Sequence, residues 1–230
     1  MAAKKPQQSL QALLHDLTNP DYRVRRNAAR DLGYLGDRRA LDALVVALKD
    51  KTVTVRSRAI VALRRIADPR AIEPLVHQIT DPRCHIHRPA YETLLSFGVA
   101  ALPALLQALQ DSNAKLRAVA AHALGELRDP RAVEPLLQVL GDPVPHVRKN
   151  ATIALRLLKD RRAVEPLITR LDDPDPDICI LAALALGDLG DRRAIAPLES
   201  LLAKPYQSAT TYEMVTRSLQ RLRTYLEQQA

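Results

Sequence analysis

Apolar residues return along this chain on a helical period, and the period itself recurs. One column reads Val24, Val55, Ile86, Leu116, Val147, Ile178, and four residues on comes Ala28, Ala59, Ala90, Ala120, Ala151, Ala182. Four more residues give Leu32, Leu63, Leu94, Leu124, Leu155, Leu186, and three more give Leu35, Ile66, Phe97, Leu127, Leu158, Leu189. Steps of four, four and three follow one face of an α-helix. Alanine in all six copies of the second column marks a close approach between helices, where a longer side chain would push them apart.

Polar punctuation divides the same stretch into units. Asp37-Arg38-Arg39-Ala40-Leu41 recurs as Asp68-Pro69-Arg70-Ala71-Ile72, Asp129-Pro130-Arg131-Ala132-Val133, Asp160-Arg161-Arg162-Ala163-Val164 and Asp191-Arg192-Arg193-Ala194-Ile195. Asp is an N-cap residue and Pro fits the first helical position, so each motif opens a helix. A second proline inside that helix, at Pro74, Pro103, Pro135, Pro166 and Pro197, should bend it at the same place each time. A second marker, Asn19, Asp50, Asp81, Asp111, Asp142 and Asp173, steps by 31, 31, 30, 31 and 31, so one residue is deleted between Asp81 and Asp111.

Each unit therefore reads as a short helix A followed by a longer helix B. The spacing predicts pairs 8–17 with 22–35, 39–49 with 53–66, 70–79 with 84–97, 99–110 with 114–127, 131–140 with 145–158, 162–171 with 176–189, and 193–203 with 209–227. No pair can bury its face alone, so the expected fold is all-α: an α-solenoid of about seven antiparallel helix pairs on a 31-residue repeat, wound as a right-handed superhelix. Residues 8–230 are expected to form a single domain with 192–230 as the C-terminal capping pair, and residues 1–7 to be flexible.

Composition narrows the alternatives. Of the 230 residues, 47% are hydrophobic but only 3% aromatic, with no Trp and one Phe, which disfavours a β-sandwich or barrel. Two cysteines, Cys84 and Cys179, make no disulfide framework, the chain has no apolar run of membrane-spanning length, and its polar start carries no secretory pattern. A cytoplasmic protein without membrane insertion is expected. The net charge of +8 points to an acidic partner.

Units such as DPRAVEPLLQVLGDPVPHVRKNATIALRLLKD resemble the short HEAT-like repeat, in the subtype found in phycobilisome bilin lyases and related cyanobacterial proteins; the resemblance covers about residues 8–203. It implies a protein-binding scaffold or adaptor gripping its partner along a concave groove, with a phycobiliprotein or another acidic protein as that partner. The alternative it implies is a bilin lyase subunit or chromophore-detaching factor. An anion or nucleic-acid binding module is the third reading.

The groove is assigned to the outward face of the B helices. Arg25, Arg56, Arg117 and Arg148, each six residues after an Asp or Asn marker, are assigned to a ladder between repeats, weakened at His87 and ended at Cys179. Beside that ladder the candidate partner-binding residues run from a basic end, Arg26, Arg30, Arg58 and Arg65, through Arg88, Tyr91, His122 and Lys149, to an apolar end, Ile153, Leu157, Ile180 and Leu184. The alternative for the apolar end is that the last helix pair folds over it. For a bilin, that end would be the wall, Lys149 and Arg88 the cations for its propionates, and Tyr91 and His122 the contacts to its nitrogens. Nucleic acid is disfavoured, because Tyr34 is the only aromatic near the arginines. Cys84, His85 and His87 are of metal-ligating types but lack a metal-site spacing, Pro89 should kink or delay its helix, and Cys179 sits in an inert apolar run. No catalytic residue, metal or cofactor is expected.

Overall fold

The structure, a computed structural model, describes residues 8–80, 87–204 and 208–229. Fourteen α-helices and no strand occur among them, and their pairing is that of a HEAT-type solenoid. They group into two compact units, Met1–Ala104 and Leu105–Ala230. The first holds α1 (Leu10–Asp16), α2 (Tyr22–Leu35), α3 (Leu41–Ala47), α4 (Val53–Ile66), α5 (Ile72–Thr80) and α6 (His87–Leu95). Helix α7 (Leu102–Ala108) spans the division, and the second unit continues with α8 (Ala114–Leu127), α9 (Val133–Val139), α10 (Pro145–Leu158), α11 (Val164–Thr169), α12 (Pro176–Leu189), α13 (Ile195–Leu202) and α14 (Ala209–Glu227). The expectation for residues 1–7 and the Cys84–His85 motif lie outside the described residues, whereas Pro89 stands three residues into α6 as described.

The inner face is where the periodicity puts it. The alanine column from Ala28 to Ala182 is at most 2% exposed, and the leucine column from Leu32 to Leu186 is fully buried. The last column is more peripheral: Ile66 and Leu189 are buried, but Leu35, at the end of α2, is 37% exposed.

The second proline falls earlier in its α-helix than the spacing implies. A three-residue 3-10 turn precedes α3, α5, α9, α11 and α13, as at Pro69–Ala71 before α5 or Pro130–Ala132 before α9. Pro135, Pro166 and Pro197 then occupy the third position of their α-helices, where the amide has no intrahelical acceptor to lose. Proline thus sits just after the change from 3-10 turn to α-helix.

The Asp of each motif caps that 3-10 turn and also grips the arginine two residues on. Asp129 accepts the Arg131 amide at 3.0 Å and its Nη2 at 2.8 Å, and the same clamp holds Asp37 to Arg39, Asp68 to Arg70, Asp160 to Arg162 and Asp191 to Arg193. Before each clamp the B helix ends on a left-handed residue: Gly36, Ala67, Arg128, Lys159 and Gly190. From Gly36 to Leu41 is five residues, but from the positive-φ Gly98 to Leu102 is four. The deleted residue is thus the capping Asp, and the turn Gly98–Ala101 has no side-chain cap.

Candidate functional site

The arginine column forms the expected ladder. Arg25 Nε donates to Asp50 Oδ2 at 2.7 Å while its Nη1 reaches back to the Asn19 carbonyl at 2.8 Å. Arg117 repeats this with Asp142 and the Asp111 carbonyl, and Arg148 with Asp173 and the Asp142 carbonyl. Each guanidinium joins the start of its own B helix to the loop of the next repeat, and the fork–carboxylate geometry is the strong bidentate kind. The hydrogen bonds from Arg117 hold the Asp142 carboxyl below its ordinary value, against the opposing effect of burial. For Asp173, burial is the largest single effect and raises the value, but the Arg148 hydrogen bonds, the Asp175 amide and the charges of Arg148 and Arg170 together outweigh it and hold the carboxyl below its ordinary value. At the end of the column Cys179 Sγ takes the place of a guanidinium nitrogen, 3.1 Å from the Asp173 carbonyl. Burial first, then the Asp173 charge, pushes this thiol up, which keeps it protonated and unreactive.

In the first unit the outward face of α2 and α4 is rich in cations. Arg26 donates to Asn27 at 3.2 Å, and Arg30 is occupied by Asp31 at 2.8 Å. Arg65 lies over the Tyr34 ring with its guanidinium carbon 4.0 Å from the centroid, which ties the ends of α2 and α4 together. Arg58 is exposed and makes no ion pair among the described residues. On α6, Arg88 is neutralised by Glu92 at 2.8 Å, and Tyr91 is half-buried.

In the second unit the candidate cations are committed internally. Lys149 on α10 donates to Asp177 on α12 at 2.7 Å, and His122 Nε2 lies 3.2 Å from Glu126. Ile153, Leu157, Ile180 and Leu184 are all half-buried, so this end is partly covered; Leu184 lies beside Met214 of α14 in a cleft described below. The structure thus places Arg26 and Arg30 on α2 and Arg58 and Arg65 on α4, with Arg65 brought onto Tyr34 of α2, and places Ile153 and Leu157 on α10 and Ile180 and Leu184 on α12.

Two features were missed in the sequence. Gly33, Gly125 and Gly187 share one repeat position and mark where B helices come closest: a Cβ on Gly33 would meet the Ala62 Cα at 2.7 Å. The signal was a glycine recurring in mid-helix. The second is the cluster of Arg156, Asp188, Arg217 and Arg221, half of which comes from α14, where the repeat pattern no longer guides the reading.

The family model for HEAT repeats matches residues 10–96, 102–178 and 133–213. Among solved structures, YibA of Escherichia coli is 24% identical over 95% of this chain and 82% of its own, with a TM-score of 0.54. An engineered protein is 20% identical over 95% of this chain and 98% of its own, with a TM-score of 0.50. The complex of CpcE and CpcF of phycocyanin lyase from Nostoc sp. PCC7120 is 22% identical over 96% of this chain and 97% of that one, with a TM-score of 0.45. The first two likenesses speak to the fold alone, and the third carries no argument. No curated protein matches the sequence.

Proposed function

The chain belongs to the HEAT-repeat family, and on that footing we propose that it is a non-enzymatic binding scaffold whose partner is an acidic protein segment, held on the outward face of α2 and α4. The observation that carries this reading is the contrast between cations already spent and cations still available. Arg25, Arg117 and Arg148 are consumed by the ladder, and Arg88 and Lys149 by local carboxylates. Among the described residues Arg58 has no counter-ion, and Arg65 is held by an aromatic ring that leaves its N–H donors unspent. Guanidinium forks presented without local carboxylates suit partner carboxylates, and pre-orientation by Tyr34 lowers the ordering cost of binding. The same stack argues against nucleic acid, because Arg65 already covers one face of Tyr34, the aromatic on which a base would stack.

The test is affinity capture from the native cell extract with wild-type protein and with the Arg58→Glu/Arg65→Glu variant, followed by cross-linking to locate the contact. An acidic protein cross-linked to α2–α4 and lost with the variant is the expected result. Retention that nuclease abolishes overturns the reading in favour of nucleic acid. A saturable visible absorption change on titrating free bilin, at submicromolar concentration and lost in Tyr91→Ala or His122→Ala, overturns it in favour of chromophore handling; the expected dissociation constant for bilin is no better than about 10 μM.

A further inference from the structure

A cleft of about 320 Å³ lies between α12 and α14 in the second unit, closed on one side by α10. One wall is cationic. Arg156 of α10 donates through Nε to Asp188 Oδ2 at 2.5 Å, and Arg221 of α14 pairs with the other oxygen of the same carboxylate. Arg217 stands one turn before Arg221 on α14 and makes no ion pair among the described residues. Two guanidinium groups thus share one carboxylate that is itself only 10% exposed, and a third guanidinium, Arg217, lines the same cleft. The local balance is three positive charges against one negative. The other wall is apolar, made by Leu184 of α12 and Met214 of α14. Gly187 and Ser218 also line the cleft and mark a close approach of α12 and α14: a Cβ on Gly187 would meet the Ser218 carbonyl at 3.0 Å. Ser218 is not a donor to the cleft, because its hydroxyl bonds the Met214 carbonyl at 2.9 Å.

We propose that this cleft is a binding site for an apolar carboxylate, a carboxylate group carried on a hydrophobic body. The surplus guanidinium donors set the charge and the fork geometry of the head. The apolar wall sets the body. It also disfavours inorganic phosphate, since a compact dianion against Leu184 and Met214 loses hydration that guanidinium groups on one side alone do not replace. The volume lies at the lower end of the range of small-ligand pockets and fits a group the size of one or two residues. Two sources supply this chemistry: the C-terminal carboxylate of a peptide ending in an apolar residue, and a free medium-chain carboxylic acid. The site is separate from the α2–α4 face and stands whether or not that face binds an acidic partner.

The probe is a fluorescein-labelled Gly-Ser-Gly-Ala-Leu peptide with a free terminal carboxylate, followed by fluorescence polarisation against the full chain. The expected result is saturable binding, weakened about tenfold or more in the terminal amide of the same peptide and in the Arg217→Gln variant. Arg217 makes no ion pair among the described residues, so that substitution removes none there. Octanoate competition separates the sources: displacement at concentrations below those of the unlabelled peptide identifies a free acid as the better ligand, and displacement only above them identifies the peptide terminus; both support the site. Equal binding of acid and amide, binding indifferent to Arg217→Gln, displacement by inorganic phosphate as effective as by the peptide, or no binding of either peptide or octanoate overturns the proposal.

Discussion

A side chain on Gly125 would place its first carbon 2.5 Å from the Cα of Ala154, so α8 and α10 meet backbone to backbone. In an exposed helix, Gly→Ala stabilises by up to about 1 kcal/mol. Here the obstruction is main chain, which no rotamer change relieves. Gly125→Ala is therefore expected to destabilise by about 1–3 kcal/mol. Gly141→Ala, where the nearest atom is 3.9 Å away, is the neutral control. Urea unfolding midpoints of the two variants decide the matter, and a stabilised Gly125→Ala would refute the close approach.

The alanine column makes a related prediction two helices wide. Ala120 and Ala151 are fully buried on α8 and α10. Leucine at either position overpacks the layer and is expected to cost about 1–3 kcal/mol. A urea midpoint equal to wild type would mean that the inner faces of these helices lie elsewhere.

What the sequence disclosed, and what it withheld, follows from how many copies each feature has. The alanine and leucine columns occur in six copies, and the helix pairs they imply match α1 to α14 closely, because burial of a repeated stripe leaves one arrangement. The ladder of Arg25, Arg117 and Arg148 was legible for the same reason. The proline misreading came from assuming that the Asp motif starts an α-helix; it starts a 3-10 turn, which shifts Pro135 from mid-helix to its first turn. For the candidate groove, sequence placed side chains on a face but not their partners: nothing in the spacing shows that Lys149 meets Asp177 or that Arg65 covers Tyr34, since no other repeat carries the same residue types at those two positions. The Arg156–Asp188–Arg221 cluster depends on α14, which does not repeat the pattern of α2 to α12.

The ladder predicts unequal consequences for two arginines. Arg148 and Asp173 have side chains 9% and 0% exposed, and without Arg148 the carboxylate keeps only Arg170, at 3.4 Å, as a cation. Arg148→Met is expected to lose on the order of 3 kcal/mol, since it strands a buried charge. Arg39, whose side chain is 77% exposed, makes a similar short contact with Asp37, but Arg39→Met is expected to lower the urea midpoint far less than Arg148→Met does. Equal losses in the two variants would show that burial does not set the strength of these pairs.

Acid sensitivity should arise at the clamps. Hydrogen bonds from Arg131, through its guanidinium and then its amide, hold Asp129 at about 2, and Arg70 and Arg193 hold Asp68 and Asp191 at about 2 by the same means. An unfolded-chain Asp titrates near 4, so each clamp contributes stability that is present above about pH 4 and is lost as pH falls toward 2. The urea midpoint is expected to hold from pH 7 to about 5 and to drop between about pH 4 and 2. Asp129→Asn with Asp191→Asn keeps an acceptor for the capped amides but removes the titration, so the drop should become shallower. An unchanged slope in that double variant would place the acid-labile groups elsewhere.

Charge on the α2–α4 face should act on encounter more than on residence. Arg58 is solvent-exposed and lacks a local counter-ion, so its field reaches a partner within about 8–10 Å at physiological salt. Arg65 is different: stacked on Tyr34, it presents its donors in one orientation and should contribute to the bound contact itself. Arg58→Glu is therefore expected to slow association with the captured partner and flatten the dependence of that rate on ionic strength, with little change in dissociation. Tyr34→Ala keeps the charge of Arg65 but frees its side chain, and is expected to speed dissociation while leaving the salt slope of association as in wild type. Stopped-flow rates at several salt concentrations separate the two effects. If Arg58→Glu leaves both the association rate and its salt slope unchanged, the partner does not approach this face.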